Sequence, residues 1–265
     1  MRIERKQGLY ERYIKRLLDI ICALLAIVVF SWLYILIAII VRIKMGSPVI
    51  FKQPRPGLIK NGHEQIFDMY KFRSMTDERD ESGNLLPDEE RLPKFGKLLR
   101  ATSLDELPEV FNILRGDMSV LGPRPQLVRD MVFMDDRIRM RHTAKPGLSG
   151  LAQVNGRNAV TWDQKFEWDL KYIEQVTFLG DLKIVGRTVK KVFGKTESSA
   201  ELDVTDDYGD WLLKIGKVSQ EKYNNLQSYA RFLLTGHEKL SRVDNNKQTQ
   251  CRVKYRGNDE VYNRL

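Results

Sequence analysis

The chain has 265 residues, of which 44 are Lys or Arg and 35 are Asp or Glu, so its formal net charge is +9. Apolar residues make up 42% and charged residues 30%, which excludes a largely disordered chain, and two cysteines argue against a disulfide framework. Residues 196–265 hold 11 basic and 11 acidic side chains, so the whole excess lies in residues 1–195. This basicity suits anionic lipids and phosphorylated substrates, and no stacking pattern or zinc spacing favours nucleic acid.

An uncharged stretch of 22 residues runs from Ile20 to Val41. At about 1.5 Å per residue, a helix of this length would cross a hydrocarbon core of roughly 30 Å. No Ala-x-Ala-like cleavage site follows it, which argues against a secretory signal. Basic residues flank the stretch on both sides, which favours a cytoplasmic location for both flanks. The pattern leaves a re-entrant hairpin and a single membrane span open.

Two segments with β character follow, at 48–52 and 65–73, separated by a loop rich in Pro, Gly and Asn. They predict a small hairpin. Residues 76–90 are acidic and contain Ser82-Gly83-Asn84, which predicts a surface loop that serves either as a lid or only as a solvated connection.

Two adjacent acids, Asp105 and Glu106, precede an amphipathic pattern that predicts a helix over 103–114 with Gly116 as its stop. The positive end of such a helix would keep a carboxylate ionised and attract a phosphate. Ser103 has capping-box spacing to Glu106, but Pro108 then conflicts with the helix, and a cap one or two residues later removes the conflict. From this stretch alone, a nucleophile and a pair of ordinary first-turn acids both remain open.

Two irregular stretches could bind a ligand. In Gly122-Pro123-Arg124-Pro125, the prolines restrict the backbone around Arg124, whose guanidinium could grip a phosphate; the alternative is a rigid surface turn. In residues 145–158, glycines permit close approach, and several side chains could form hydrogen bonds, namely Gln153, Asn155, Arg157 and Asn158. His142 has no second His or Cys at metal spacing and is interpreted as structural.

Two amphipathic helices are predicted next. The first has Trp162, Phe166, Leu170 and Ile173 on one face, with Trp168 and Tyr172 off it, and the second has Leu182, Val185, Val189 and Val192 on its apolar face. Both could pack on a core or lie on a membrane surface. Residues beyond 196 predict a small accessory element or a partly disordered tail, with helical character around 208–217 and 222–234.

Four motifs together resemble one known family. They are Lys71-Phe72-Arg73-Ser74-Met75, Ser103-Leu104-Asp105-Glu106-Leu107-Pro108, the run from Gly116 to Pro125, and the run from Pro146 to Asn158. In order and spacing, residues 13–193 resemble the bacterial sugar transferases, the small monotopic phosphoglycosyl transferases. Gly156-Arg157-Asn158 and the acidic loop resemble most the subgroup that uses undecaprenyl phosphate and N,N'-diacetylbacillosamine 1-phosphate.

The resemblance implies a mainly α fold with a small β-hairpin, in which a re-entrant membrane helix precedes a compact catalytic domain with amphipathic interfacial helices. It implies three regions: 1–45 with the membrane helix, 46–195 with the catalytic domain, and 196–265 as an accessory tail of unknown role. The family bends its membrane helix at a Ser-Pro pair, whereas this chain has Ser31-Trp32 and no proline from Ile20 to Val41. The missing proline weakens the expectation of a re-entrant helix.

The resemblance also implies transfer of a sugar 1-phosphate from a UDP-sugar to undecaprenyl phosphate, with release of UMP, at the cytoplasmic face of a bacterial inner membrane. By analogy, Asp105 is the nucleophile, and Asp105 and Glu106 hold Mg²⁺. The substrate-binding residues it implies are Lys71, Arg100, Pro123, Arg124, Pro125, Gln153, Asn155 and Arg157. The expected donor is an N-acetylated amino sugar, and UDP-Gal or UDP-Glc is the alternative donor. The alternative from a different class of protein is an inactive membrane scaffold. Other expected partners are anionic membrane lipids and either a second copy or downstream glycosyltransferases.

Overall fold

The structure, a computed structural model, describes residues 5–156, 160–193 and 206–246. It is mainly helical with a small antiparallel hairpin, as the sequence predicts. Its contacts form two units, one of Met1–Gln126 with Asp135–Val204 and the other of Leu127–Met134 with Thr205–Leu265. In chain order the elements are α1 (Lys15–Met45), β1 (Ile50–Lys60), β2 (His63–Phe72), α2 (Asp88–Arg91), α3 (Lys94–Ala101), α4 (Glu109–Arg115), β3 (Ser119–Leu121), α5 (Val128–Met131), α6 (Asp136–Arg139), β4 (Gly147–Ser149), α7 (Leu151–Gly156), α8 (Trp162–Glu174), α9 (Phe178–Phe193), α10 (Tyr208–Lys214) and α11 (Gln220–Asn246).

Helix α1 continues a π-helical turn, and together they form a helix of 36 residues, Tyr10–Met45, that is long and apolar enough to cross a membrane. Its secondary structure is uninterrupted at Ser31, whose hydroxyl donates a 3.0 Å hydrogen bond to the carbonyl oxygen of Val28. This bond keeps the Ser31 side chain on its own helix. Because α1 shows no break at Ser31, the re-entrant arrangement of this helix stays a prediction.

One face of α1 packs on the rest of the first unit toward each end of the helix. The buried residues recur every four positions in two groups, Lys15, Asp19 and Ala23 and then Ile37, Val41 and Met45, and no residue between Ala23 and Ile37 is fully buried. Ala23 joins a cluster with Phe67 and Ile113, and Val41 joins one with Phe72 and Leu99. The opposite face is apolar and open, with Val28, Trp32 and Ile35 at 72%, 63% and 63% exposed. That pattern suits a helix that faces lipid on one side and protein on the other.

The β1–β2 hairpin is longer than the sequence predicts, because much of the predicted loop is strand. Its turn is only Asn61-Gly62, with φ values of 55° and 84°, as a type I′ turn requires. The register slips between Pro56 and Ile59. A two-stranded sheet tolerates the prolines of β1, Pro54 and Pro56, because each strand has a free edge. The acidic segment that follows is largely exposed and contains one bridge, from Arg79 to Leu85, before α2 begins.

The helix predicted over 103–114 is divided in two. Leu104–Glu106 forms a 3₁₀ turn, here called the acid turn, and α4 begins only at Glu109. Ser103 has a φ of 55° and makes no capping bond, so the capping-box interpretation is wrong. Pro108 lies at the boundary, where its missing N–H and its ring interrupt helical hydrogen bonding. Gly116 ends α4 with a φ of 93°, as predicted.

Strands β3 and β4 pair in parallel and bring the two irregular stretches together. The N–H of Gly122 donates to the carbonyl oxygen of Ser149 at 2.9 Å, and a Cβ on Gly147 would lie 2.0 Å from the Gly122 nitrogen. Only glycine permits this approach of two backbones. The Gly-Pro-Arg-Pro turn thus rests directly on the glycine-rich stretch.

Helices α8 and α9 differ in the direction in which their apolar faces point. The predicted face of α8 is buried, but Tyr172, predicted to lie off that face, is also buried at 5% exposure and donates to Asp181. On α9 the predicted apolar face points outward, with Leu182 and Val189 at 55% and 50% exposed. Val192 lies outside the residues whose side chains are described. An outward apolar face favours the membrane-surface interpretation of α9 over core packing.

The second unit consists of α5, α10 and α11. Phe133 packs against Tyr223 with ring centroids 5.5 Å apart, and a Cβ on Gly209 would come within 2.5 Å of the Phe133 ring. Arg129 donates to Asp210 at 2.8 Å. The described part of the tail is therefore helical and packs on residues 127–134.

Candidate active site

The acid turn lies among cations from two other elements. Asp105 is 7% exposed. The ammonium of Lys71, on β2, lies 3.0 Å from Oε1 of Glu106, and the guanidinium of Arg124 contacts the same oxygen. Arg124 itself is held in the Gly-Pro-Arg-Pro turn between two buried prolines, Pro123 and Pro125. Three sites predicted separately are thereby brought together, namely the acids, Lys71 and Arg124.

The two acids have different electrostatic environments. Burial opposes ionisation of Glu106, but the charges of Arg124 and Lys71 outweigh it and lower its pKa to about 2. Burial raises the pKa of Asp105, and Lys71 and Arg100 oppose that rise. The acid turn precedes α4, so the two acids do not lie in the first turn of one long helix, as predicted. The neighbouring cations Lys71 and Arg100, followed by a backbone hydrogen bond at Asp105, favour its ionised form.

A third carboxyl group, which sequence reasoning missed, belongs to the same cluster. Glu109 is 1% exposed, and its Oε1 lies 3.5 Å from the Lys71 ammonium, so Lys71 bridges Glu106 and Glu109. Burial, followed by the negative charge of Glu106, raises the pKa of Glu109 to about 7. The signal in the sequence was the spacing, since Glu109 follows Asp105 and Glu106 by one helical turn.

Arg100 contributes to the cluster through its charge. It is exposed at the end of α3, and its Nε donates to the hydroxyl of Ser74 at 2.9 Å. That bond ties α3 to the Lys71–Met75 motif and leaves the rest of the guanidinium open to solvent. A phosphate near Asp105 could therefore recruit Arg100.

A buried ion pair between Arg141 and Asp169 holds the backbone of the Arg124 turn. Arg141 is 1% exposed and donates to Oδ2 of Asp169 from Nε at 3.0 Å and from Nη2 at 2.6 Å. The same Nη2 donates to the carbonyl oxygen of Arg124 at 2.6 Å. Neither residue was identified from the sequence, where Arg141 stands among other basic residues and Asp169 lies within the amphipathic pattern of α8.

The structure also places His142 in a buried network. Its Nδ1 lies 3.1 Å from Oε1 of Glu64, which Arg139 contacts through two bonds of 2.8 Å. Burial lowers the pKa of His142 and favours its neutral form. This agrees with the structural role expected for His142.

The polar side chains of the glycine-rich stretch, predicted together as ligand-binding residues, differ in their surroundings. Both polar atoms of the Gln153 amide are buried without a hydrogen-bond partner among the described residues, and its Oε1 would lie 2.8 Å from a Cβ on Gly150. The same Cβ would lie 2.1 Å from the carbonyl oxygen of Gly122, so Gln153 is near that backbone, and its amide has an unused donor and acceptor. Asn155 instead donates to the carbonyl oxygen of Leu151 and accepts from Arg187, so its described contacts lie within α7 and with α9. Arg157 and Asn158 lie outside the described residues.

Metal binding at this site would depend on two protein carboxylates. Within residues 5–156, 160–193 and 206–246, no group of three or more His, Cys, Asp or Glu is arranged to hold an ion. Oε1 of Glu106 is occupied by Lys71 and Arg124, which leaves Oε2 and the Asp105 carboxylate. Two carboxylate ligands fit Mg²⁺, which commonly binds one or two protein carboxylates together with substrate phosphates and water.

Comparison with known proteins extends these observations. The sequence profile of the bacterial sugar transferase family matches residues 10–195. The "Uncharacterized sugar transferase EpsL" of Bacillus subtilis is 49% identical over 179 residues, which cover 68% of this chain and 87% of that protein. The UDP-glucose:undecaprenyl-phosphate glucose-1-phosphate transferase of Klebsiella pneumoniae is 40% identical over 189 residues, 68% of this chain.

A third relative has a different sugar in its name. The UDP-N-acetylgalactosamine-undecaprenyl-phosphate N-acetylgalactosaminephosphotransferase of Aeromonas hydrophila is 37% identical over 189 residues, 68% of this chain. The matches cover only 40% of the Klebsiella protein and 44% of the Aeromonas protein, so this chain spans less than half the length of those two. The matched region contains the acid turn, Lys71 and Arg124, and the chain belongs to the bacterial sugar transferase family.

Proposed function

We propose that the protein transfers a sugar 1-phosphate from a UDP-sugar to undecaprenyl phosphate and releases UMP. The observation that carries this proposal is the acid turn, where a buried carboxylate, Asp105, lies beside a second acid that is neutralised by Lys71 and Arg124. The printed names of the Klebsiella and Aeromonas relatives describe this class of reaction. The product would start a lipid-linked glycan, such as an exopolysaccharide, a capsule or a glycoprotein glycan.

The reaction proceeds in two displacements. A carboxylate oxygen of Asp105 attacks the phosphorus that carries the sugar, and the bond from that phosphorus to the UMP oxygen breaks. An oxygen of undecaprenyl phosphate then attacks the same phosphorus, and the bond to Asp105 breaks, which restores the carboxylate. Each displacement brings two anions together, so cations at the acid turn reduce the barrier.

The surrounding side chains have separate roles. Arg124 binds phosphate oxygens in its restrained turn, and Lys71 keeps Glu106 ionised. Arg100 approaches the phosphates from the solvent side, and Gln153 offers its free amide to the donor. Arg157 is expected to bind the donor, and Asn155 supports α7.

Asp105 and Oε2 of Glu106 are the residues that would hold Mg²⁺. When bound, the ion would neutralise charge that develops on the phosphate oxygens. The protein's own contribution is to position both carboxylates on one short turn and to keep Glu106 ionised.

The donor is proposed to be an N-acetylated amino sugar. Support comes from Gly156-Arg157-Asn158 and from the acidic loop, which resemble the diacetylbacillosamine subgroup. UDP-Gal and UDP-Glc are the alternative donors, and an inactive scaffold is the alternative from a different class.

One assay tests the reaction and the nucleophile. Purified protein is incubated with undecaprenyl phosphate, Mg²⁺ and each UDP-sugar of a panel, and UMP release is measured. Asp105→Asn should abolish UMP release, whereas Asp136→Asn, at an exposed position on α6, should leave it unchanged. Phosphosugar that stays on the wild-type protein without undecaprenyl phosphate, and is lost in Asp105→Asn, would identify the intermediate. Absence of UMP release with every donor would favour the scaffold.

The membrane helix is proposed to be re-entrant and to keep both flanks on the cytoplasmic face of the inner membrane. The support is that both ends of α1 pack on the same unit, since Lys15 bonds Asp181 at 2.6 Å and Met45 lies with Phe72 and Leu99. A straight span would carry one end away from that unit. Single cysteines at residues 5 and 60 should be labelled only after cell lysis, and labelling of either one in intact cells would contradict the re-entrant arrangement.

A further inference from the structure

A charged cavity lies at the amino-terminal end of α1, apart from the acid turn. Its volume is about 200 Å³, and none of the candidate active-site residues described above lines it. Arg12, Lys15 and Arg16 of α1 and Lys145, just before β4, supply four cations to the lining, against two carboxylates, Glu11 and Asp19. We call this cavity the basic pocket.

Most charges of the basic pocket already have partners in the protein. Asp19 accepts from the hydroxyl of Ser119 and the N–H of Val120, each at 2.9 Å. Lys15 bonds Asp181, which lies outside the lining, at 2.6 Å. Glu11 pairs through Oε1 with Arg5, while its Oε2 has no hydrogen-bond partner among the described residues.

Lys145 is different because its ammonium has no direct partner in the described part of the chain. It is only partly exposed, and its ammonium makes no hydrogen bond or ion pair with any described residue. Burial, and then the nearby Arg16, lowers the pKa of Lys145, and the charges of Asp19 and Asp117 oppose this only in part. A half-buried ammonium without an acceptor is costly, and a bound anion would remove that cost.

Lys145 and Arg16 lie side by side. The Nζ of Lys145 and Nη2 of Arg16 are 3.5 Å and 3.4 Å from the same point, the place where a Cβ on Gly116 would stand. Arg16 donates to the carbonyl oxygens of Ile113 and Leu114 at 2.5 Å and 2.7 Å, which holds its guanidinium in place. One phosphate group could therefore contact both cations without moving the backbone.

The position of the pocket indicates where that phosphate comes from. Arg16 lies one helical turn before Ile20, where the uncharged stretch begins, so it lies at the level of lipid headgroups when α1 is in a bilayer. On the core side of Arg16, Leu17 is 58% exposed and would contact the acyl chains of a lipid bound there. We propose that the basic pocket binds the phosphate of an anionic phospholipid, with Lys145 and Arg16 as its main contacts.

Binding of a short-chain lipid tests the proposal on the full-length protein in detergent. Calorimetric titration with dihexanoyl-phosphatidylglycerol should show saturable binding, which Lys145→Gln should weaken at least about tenfold and Lys145→Arg should retain. Lys97→Gln is the matched control, because it removes one positive charge from an exposed position on α3 and should leave binding unchanged. Arg12→Gln, on the exposed rim, should weaken binding even if Lys145→Gln does not fold.

Three outcomes would overturn the proposal. The first is no saturable binding, and the second is an equal loss in Lys97→Gln, which would mean that only overall charge matters. The third is equally tight binding of inorganic phosphate, which would assign the pocket to a free anion and not to a lipid. Because the readout is lipid binding, its result is independent of whether the acid turn transfers a sugar phosphate.

Discussion

Arg141 connects a buried carboxylate to the backbone of Arg124. Its Nη2 donates 2.6 Å hydrogen bonds to both the carbonyl oxygen of Arg124 and Oδ2 of Asp169. Arg141 and Asp169 are 1% and 2% exposed, so this pair is shielded from solvent and has few alternative arrangements. The orientation of the Arg124 side chain above the acid turn thus depends on a residue that does not touch it.

We expect Arg141→Lys to impair phosphate binding through Arg124. A lysine keeps the charge opposite Asp169 but cannot reproduce the fork that reaches both acceptors, so kcat/KM for the UDP-sugar should fall about tenfold. Arg141→Gln should additionally lower stability by about 3 to 5 kcal/mol, because it leaves Asp169 buried and unpaired. UMP release and thermal unfolding measure the two effects. Arg137→Lys, which alters the exposed pair with Glu167, is the control and should change neither.

Glu109 predicts a loss of stability as pH approaches neutrality. Its pKa in the folded protein is raised to about 7 from 4.5, so the folded state holds a proton that the unfolded state has released over this range. Its contribution is full below pH 4.5 and is lost as pH rises to about 7, by roughly 3 kcal/mol. Melting temperatures of wild type and Glu109→Gln between pH 4.5 and 8 test this. The variant should show the smaller decline, and parallel curves would contradict the prediction.

Glu64 predicts the opposite dependence at acid pH. Burial opposes its ionisation, but hydrogen bonds from His142 and Arg139 prevail and lower its pKa to about 2 from 4.5. The stabilisation is present above pH 4.5 and is lost as pH falls toward 2, by roughly 3 kcal/mol. Glu64→Gln should therefore be less stable than wild type at pH 6 and approach it at pH 2.5, as measured by denaturant unfolding. Glu174→Gln, at an exposed position, should follow wild type at both pH values.

The outward face of α9 predicts contact with lipid. Leu182 and Val189 are 55% and 50% exposed, and burying a Leu or Val side chain in an apolar phase stabilises by about 1.5 to 3 kcal/mol. In vesicles with spin-labelled lipid, a fluorophore on a cysteine at position 182 or 189 should be quenched strongly. The same fluorophore at Lys183, in a background without Cys22 and Cys251, is the matched comparison and should be quenched less. Equal quenching at all three positions would rule out a lipid-facing orientation of that face.

Much of the local structure follows from the sequence. The uncharged stretch, the small hairpin, the stop at Gly116 and the buried face of α8 each depend on residues close together in the chain. Local spacing and turn chemistry are sufficient for such features. The break before α4 was not predicted, because a later cap was enough to reconcile Pro108 with one continuous helix.

The sequence by itself determined which residue types the site has, namely adjacent acids, a restrained arginine and a glycine-rich stretch. Only the tertiary structure decided how they combine. It placed Lys71 between Glu106 and Glu109, put Arg141 beneath Arg124, and turned the apolar face of α9 outward. The physical reason is that burial and charge neighbours shift a pKa, and both depend on residues distant in the chain. The same reason explains why Lys145 is an ordinary basic residue in the sequence but an unpaired cation beside Arg16 in the fold.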